Sequence, residues 1–305
     1  MGKDKGSHNR IKKYGKRGEK APFFNIRLRM KGYHSIIKGR KEVMDMSTYR
    51  EVFRRTEIKY LIDEGQYKAL MSYMEGMAEV DAYGLSRINN IYYDTQDHLL
   101  VRTSIEKPLY KEKLRLRTYG VTKDDTNAFV EIKKKYDGVV YKRRISGEYG
   151  EMYRRLSGRE ACMGDGQIAK EIEAFIRLYG ELVPAMRICY DRLAMAGIQD
   201  KDFRVTFDSN IEWSTESRDL REAKTGRALL KPGQYLMEIK ISNAFPIGLA
   251  DKLSELKIFP ASFSKYGAGY ADMLRCSRVR TTERIPAMQG SETNRKRTKG
   301  EMAYV

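Results

Sequence analysis

Four segments of this chain set charged and apolar residues on alternate positions, and this pattern constrains the fold more than any other feature. In KEKLRLRTYG, Lys113, Arg115 and Arg117 alternate with Leu114 and Leu116, and in FVEIKKKYDG, Glu131, Lys133 and Lys135 alternate with Val130 and Ile132. RRTEIKYLI sets Arg55, Glu57 and Lys59 against Ile58 and Tyr60, and LMEIKI sets Glu238 and Lys240 against Met237, Ile239 and Ile241. Strand side chains point to opposite faces with period two, so each segment reads as a strand with one apolar face and one face of Lys, Arg and Glu. A solvated sheet face is the ordinary fate of such charges, but it normally mixes in Thr, Ser and Gln. Here Arg-x-Arg, Glu-x-Lys and Glu-x-Lys-x-Lys recur instead. With the apolar faces turned outward under helices, the charged faces line a lumen. Like charges repel strongly in low dielectric, so that lumen calls for a polyanion and a metal. Arginine forks match phosphate oxygens in pairs, lysines add point charges, and a carboxylate among them suits Mg²⁺ or Mn²⁺.

Strand-like runs recur along the chain at Glu51–Ile62, Arg87–Asp94, Lys111–Tyr119, Ala128–Tyr136, Val139–Tyr149, Met186–Ala196, Phe203–Trp213 and Tyr235–Ile241. Helices are expected over 64–77 with Asp63 as N-cap, over Gln167–Tyr179 with Ile168, Ile172, Phe175, Ile176 and Tyr179 on one face, and over Ile247–Leu256 and Tyr266–Leu274. The expected class is α+β, an antiparallel β-barrel or tunnel of about eight strands with flanking helices.

The formal charge of +18 first suggests a nucleic-acid binder, but its location argues otherwise. Residues 1–48 carry a net +10 and residues 275–305 a net +5, which leaves +3 for residues 49–274. The ends are too poor in apolar residues to offset chain entropy. Residues 1–48 are therefore expected to be a largely disordered basic arm, 49–280 a catalytic domain and 281–305 a disordered basic tail. No run approaches the roughly 18 apolar residues of a membrane helix, and the basic start lacks the apolar segment of a secretory signal. A cytoplasmic location is expected, with docking of the basic arm on an anionic membrane as the only membrane contact. Cys162, Cys189 and Cys276 form no CxxC, and His8, His34 and His98 fit no ligand spacing, which argues against a zinc site and a histidine triad.

In order along the chain, RRTEIKYLI, NNIYYDT, KLRLRTYG, VEIKKK, VVYKRR, CYDRLAM, RVTFD, LMEIKI and SFSKYGAGYA resemble the catalytic domain of the VTC (vacuolar transporter chaperone) polyphosphate polymerases, in its bacterial single-domain form. The resemblance spans about residues 50–275 and implies a triphosphate tunnel metalloenzyme. Carried over position by position, it implies catalytic roles for Lys59, Arg115, Arg117 and Lys133. It implies substrate-binding roles for Lys142, Arg192, Arg204 and Lys265, and makes Glu238 the ligand of Mn²⁺ or Mg²⁺. Glu57 and Glu131 are further carboxylates of second rank. Ala261 and Ser262 stand where the family carries a second lysine shortly before Lys265. Tyr92 and Tyr93 read as packing residues, and Asp94 and Asp208 as turn or cap residues as readily as ligands.

The implied reaction is transfer of the γ-phosphoryl group of ATP to a growing polyphosphate chain, with ATP and polyphosphate as partners and no specific nucleic acid. With water as acceptor the same site hydrolyses triphosphate or tripolyphosphate, and the motifs leave both open. A non-catalytic polyanion or nucleic-acid binder built on the two basic ends is a third reading, in which deletion of the ends abolishes binding.

Overall fold

A computed structural model describes residues 56–283, apart from 138, 159–162, 223 and 243. The expected basic arm, most of the expected tail, Arg55, His8, His34 and Cys162 lie outside the described residues. The strands are β1 (Thr56–Asp63), β2 (Ala78–Asp94), β3 (Tyr110–Tyr119), β4 (Asn127–Tyr136), β5 (Val139–Glu148), β6 (Val183–Gly197), β7 (Arg204–Ser214), β8 (Arg227–Ala228) and β9 (Gln234–Ile241). The helices are α1 (Glu64–Tyr73), α2 (Leu99–Ile105), α3 (Tyr149–Ser157), α4 (Gln167–Tyr179), α5 (Ile247–Glu255) and α6 (Lys265–Glu283).

Every run read as a strand overlaps one, although β2 begins at Ala78 rather than Arg87 and β8 went unread. The start of α1 follows from local chemistry: Asp63 Oδ1 accepts from Gln66 N at 2.8 Å while Gln66 Oε1 accepts from Asp63 N at 3.0 Å, a reciprocal cap. Two helices went unread. In α3, Tyr149, Met152 and Leu156 are buried at helical spacing, but the helix is only nine residues long and follows directly on β5. In α2, the first turn is held from outside the helix, with Asp94 accepting from Leu100 N at 2.8 Å and from Val101 N at 3.0 Å. Asp94 is thus a capping residue.

The sheet is antiparallel throughout, in the order β1-β9-β7-β6-β2-β3-β4-β5, with β8 paired to β7. The expected barrel is not closed by backbone pairing: β1 and β5 are the two ends of this order. The free edge of β1 is already occupied, because Tyr60 bridges to Pro260 and Ala261 N donates to Lys59 O at 2.7 Å. On β5, residues 140–144 are all exposed, and charged edges of this kind resist pairing.

Alternation sorts the residues as the sequence pattern requires. On the convex side, Ile91, Leu114, Leu116, Val130 and Ile132 pack under α3 and α4, and Tyr60, Ile62, Val205, Phe207 and Ile239 pack against α1 and α5. A third core lies on the concave side, where Tyr92, Met186, Ile188, Tyr190, Trp213 and Leu236 meet Val101 of α2 and Tyr266 and Tyr270 of α6. The register of β7 against β6 shifts between Cys189 and Asp191, and Asn210 there has φ +48°. This bulge lets Ile211 and Trp213 share the concave face with Thr206 and Asp208, which plain alternation forbids. Helix α6 therefore fills one part of the concavity, and the charged residues line the rest.

Candidate active site

The charges of the lumen gather on buried carboxylates. The first is Glu131 on β4, 1% exposed. It lies 2.7 Å from Arg115 Nε, 3.7 Å from Arg117 Nε and 2.5 Å from Lys142 Nζ. The register explains the meeting, since Glu131 pairs with Arg115 of β3 on one side and with Arg144 of β5 on the other, one strand repeat from Lys142. Burial pushes the Glu131 carboxyl up, but Arg115, Arg117 and Lys142 outweigh it and hold it at about 2. Arg115 Nη1 also donates to the Tyr92 hydroxyl at 3.3 Å, and Arg117 donates to Asn90 Oδ1 at 2.9 Å and to the Tyr190 hydroxyl at 3.1 Å. The guanidinium planes are thereby fixed from behind.

The second centre comprises Asp208 and Glu238. Arg192 grips Asp208 through two nitrogens at 2.6 and 2.7 Å, and Lys265 reaches it at 2.5 Å. Glu238 lies 3.4 Å from Lys59, 3.4 Å from Lys240, 3.6 Å from Lys265 and 3.9 Å from Arg192. Burial raises the Glu238 carboxyl, and the pull of Lys265, Lys59, Lys240 and Arg192 takes it well below the usual carboxylate range, so it is ionised. Lys265 is buried, yet Asp208 and Glu238 keep it charged, and its ammonium sits 4.5 Å from the Tyr190 ring centroid.

The segment leading into α6 crosses between the two sides of the concavity. Lys59 Nζ of β1 donates to Phe263 O at 3.2 Å, Lys113 Nζ of β3 contacts Ser264 Oγ at 3.0 Å, and Lys265 follows. Three consecutive residues thus meet groups from strands far apart in the sheet.

The structure brings Lys59, Arg115, Arg117, Lys133, Lys142, Arg192, Glu238 and Lys265 to one concave face. Lys133 is partly exposed and reaches Glu57 at 4.0 Å. Arg204 shares the face beside Lys240 but is exposed and makes no ion pair among the described residues. Glu131 and Asp208 also lie at the centres of these ion pairs; the sequence reading ranks Glu131 second and leaves Asp208 as readily a turn or cap residue as a ligand. Lys113 was placed on the charged face by alternation but given no role. Asp208 carried the same signal, because RVTFD alternates Arg204, Thr206 and Asp208 with Val205 and Phe207.

Among the described residues no group of three or more His, Cys, Asp or Glu side chains converges. Asp208 is committed to Arg192 and Lys265, and Glu131 to its own cations. Glu238 remains as a hard, ionised oxygen donor with no single close partner. This fits a Mg²⁺ or Mn²⁺ ion that draws most of its oxygen ligands from a bound phosphate chain rather than from a protein cage.

A family profile for the VTC domain matches residues 54–274. The chain belongs to the VTC domain family. Every residue of the two carboxylate centres lies inside this VTC domain. No curated protein matches the chain. Among solved structures, the chain is similar to a candidate adenylate cyclase from Bacillus halodurans, with 14% identity, TM-score 0.44, and 68% of this chain and 92% of that one covered. It is similar to another from Vibrio parahaemolyticus, with 12% identity, TM-score 0.39, and 70% and 96% covered. A third is a candidate adenylyl cyclase from Hippeastrum with a dominant triphosphatase activity, at 15% identity, TM-score 0.42, and 71% and 95% covered. At such scores the likeness carries no argument about chemistry.

Proposed function

We propose that this VTC domain is a polyphosphate polymerase that binds the triphosphate of ATP in its lumen and passes the γ-phosphoryl group to the end of a polyphosphate chain. The observation that carries this reading is the convergence of Arg115, Arg117 and Lys142 from three adjacent strands on one buried carboxylate, opposite Lys59, Arg192 and Lys265 around Glu238. Cations outnumber carboxylates on this face, and the surplus matches a ligand with one or more negative charges on every phosphorus.

The chemistry asks for little else. The bond from the γ-phosphorus to the β–γ bridging oxygen breaks, ADP leaves with that electron pair, and a terminal oxygen of the acceptor forms the new P–O bond. Acceptor and leaving group are both phosphate oxyanions, so no proton transfer is needed. The lack of a histidine or cysteine among the cations is no obstacle. Arg115 Nη2 and Arg117 Nη1 make no hydrogen bond among the described residues, while their other nitrogens are held by Glu131, Asn90, Tyr92 and Tyr190. The two forks are preorganised toward charge that develops on the transferring group. Lys265 and Arg192, fixed by Asp208, and Lys59 neutralise the rest of the phosphate chain. A divalent ion held by Glu238 would supply further charge neutralisation on the phosphate oxygens.

The test is to incubate the purified chain with ATP and Mn²⁺ or Mg²⁺ and to separate the products. Acid-stable chains of phosphate together with ADP support the polymerase reading. Free phosphate without chains assigns the site to triphosphate hydrolysis instead.

A further inference from the structure

Lys113, a lumen cation beside the Glu131 centre, has no carboxylate partner among the described residues. It lies on β3 two residues before Arg115, on the same face, and donates to the neutral Ser264 hydroxyl at 3.0 Å. The groups that face it are Lys111 on its own strand, Lys133 on β4, Lys59 on β1, the Tyr92 phenol on β2 and Ser264 before α6. Arg115, its neighbour on the face, is already committed to Glu131 and Tyr92. An ammonium surrounded by ammoniums and hydroxyls is an unfilled anion position.

We propose that Lys113 is a further substrate-binding residue of the lumen, one that leaves the Ser264 hydroxyl and binds a phosphate oxygen of the incoming polyanion. The proposal deepens the reading of the lumen as a site for triphosphate-like anions and rests on it. Burial, together with the repulsion of Lys111, Lys133 and Lys59, pushes the Lys113 amine down to about 8, the Tyr92 phenol pulling the other way. A bound polyanion removes that penalty and restores the ammonium. Binding therefore takes up a proton, and affinity falls as pH rises through the range in which free Lys113 loses its charge. The Ser264 contact gives the neutral amine a partner while the lumen is empty. It also ties β3 to the segment that carries Lys265, so anion binding at Lys113 frees that segment from β3.

The experiment is calorimetric titration of the full chain with tripolyphosphate at pH 8, in two buffers of different ionisation enthalpy. The wild type is expected to bind with roughly half a proton taken up by Lys113 from the buffer. Lys113→Arg, which stays charged, is expected to bind with that uptake lost. Lys113→Met is expected to bind about tenfold or more weakly, the loss of one charge-assisted contact. Undiminished uptake in Lys113→Arg together with wild-type affinity in Lys113→Met overturns the proposal and leaves the lumen reading standing, the proton then being taken up at Tyr92, Lys111 or Lys133. Failure of the wild type to bind tripolyphosphate overturns both.

Discussion

Lys133 on β4 and Glu57 on β1 approach to 4.0 Å, although five strands lie between them in the sheet. The sheet therefore curls until β1 and β4 face each other by side chains, while β1 and β5 do not pair with one another. Both partners are partly exposed, so the pair contributes little to folding. Glu57→Gln is expected to change the unfolding free energy in urea by less than about 1 kcal/mol. It removes a negative charge that faces Lys59 and Lys133, so metal-free tripolyphosphate should bind more tightly to the variant. Calorimetric titration without metal checks this.

Glu238 is ionised and ringed by four cations, so its removal is felt in charge and in cation holding together. Glu238→Gln keeps the shape. Turnover of ATP at saturating Mn²⁺ should fall by about a hundredfold or more, as when other preorganised charge stabilisers are lost. The dependence on metal concentration should weaken with it. A metal titration of initial rates on both proteins checks this, and an unchanged curve removes Glu238 from the site.

Glu131 is the anion beneath Arg115, Arg117 and Lys142. Its folded value of about 2 lies below the ordinary 4.5, so its contribution to stability is complete above about pH 4.5 and is lost as pH falls toward 2. Glu131→Gln leaves three cations around a neutral amide and is expected to cost roughly 3 kcal/mol near pH 7. The gap between wild type and variant should close on acidification over that window. Urea unfolding of both proteins at a series of pH values checks the magnitude and the sign.

Tyr266 anchors α6 by donating its hydroxyl to the buried Asp94 at 2.7 Å while its ring stacks on Tyr92, centroids 4.6 Å apart. Tyr266→Phe keeps the stack and leaves an Asp94 oxygen short of one donor, at a cost of about 1–3 kcal/mol. Because Lys265 is the preceding residue, a loosened helix should also lower turnover while KM for ATP changes less. Thermal melts and steady-state kinetics on the one variant check both effects.

Much of this was legible in the chain because it rests on local rules. Period-two alternation in β1, β3, β4 and β9 identified the charged face and the cations on it. Asp63 announced α1, and the apolar stripe from Ile168 to Tyr179 announced α4. Residues that act through distant partners were not legible. Asp94 caps a helix and holds a tyrosine 172 positions later, and its own neighbourhood NNIYYDT says nothing of either. Alternation gives the face of Asp208 but not that Arg192 and Lys265 close on it.

By itself, then, the sequence determined which residues share a face, since strand geometry leaves no choice once the alternation is written. The tertiary structure decided which of them become neighbours. Pro260 and Ala261 took the edge of β1 that would have closed a barrel, a bulge at Asn210 turned Trp213 into the concavity, and α6 settled on that apolar patch with Lys265 at its start. Each depends on contacts between segments far apart in the chain, and such contacts leave no periodic trace in the order of the residues.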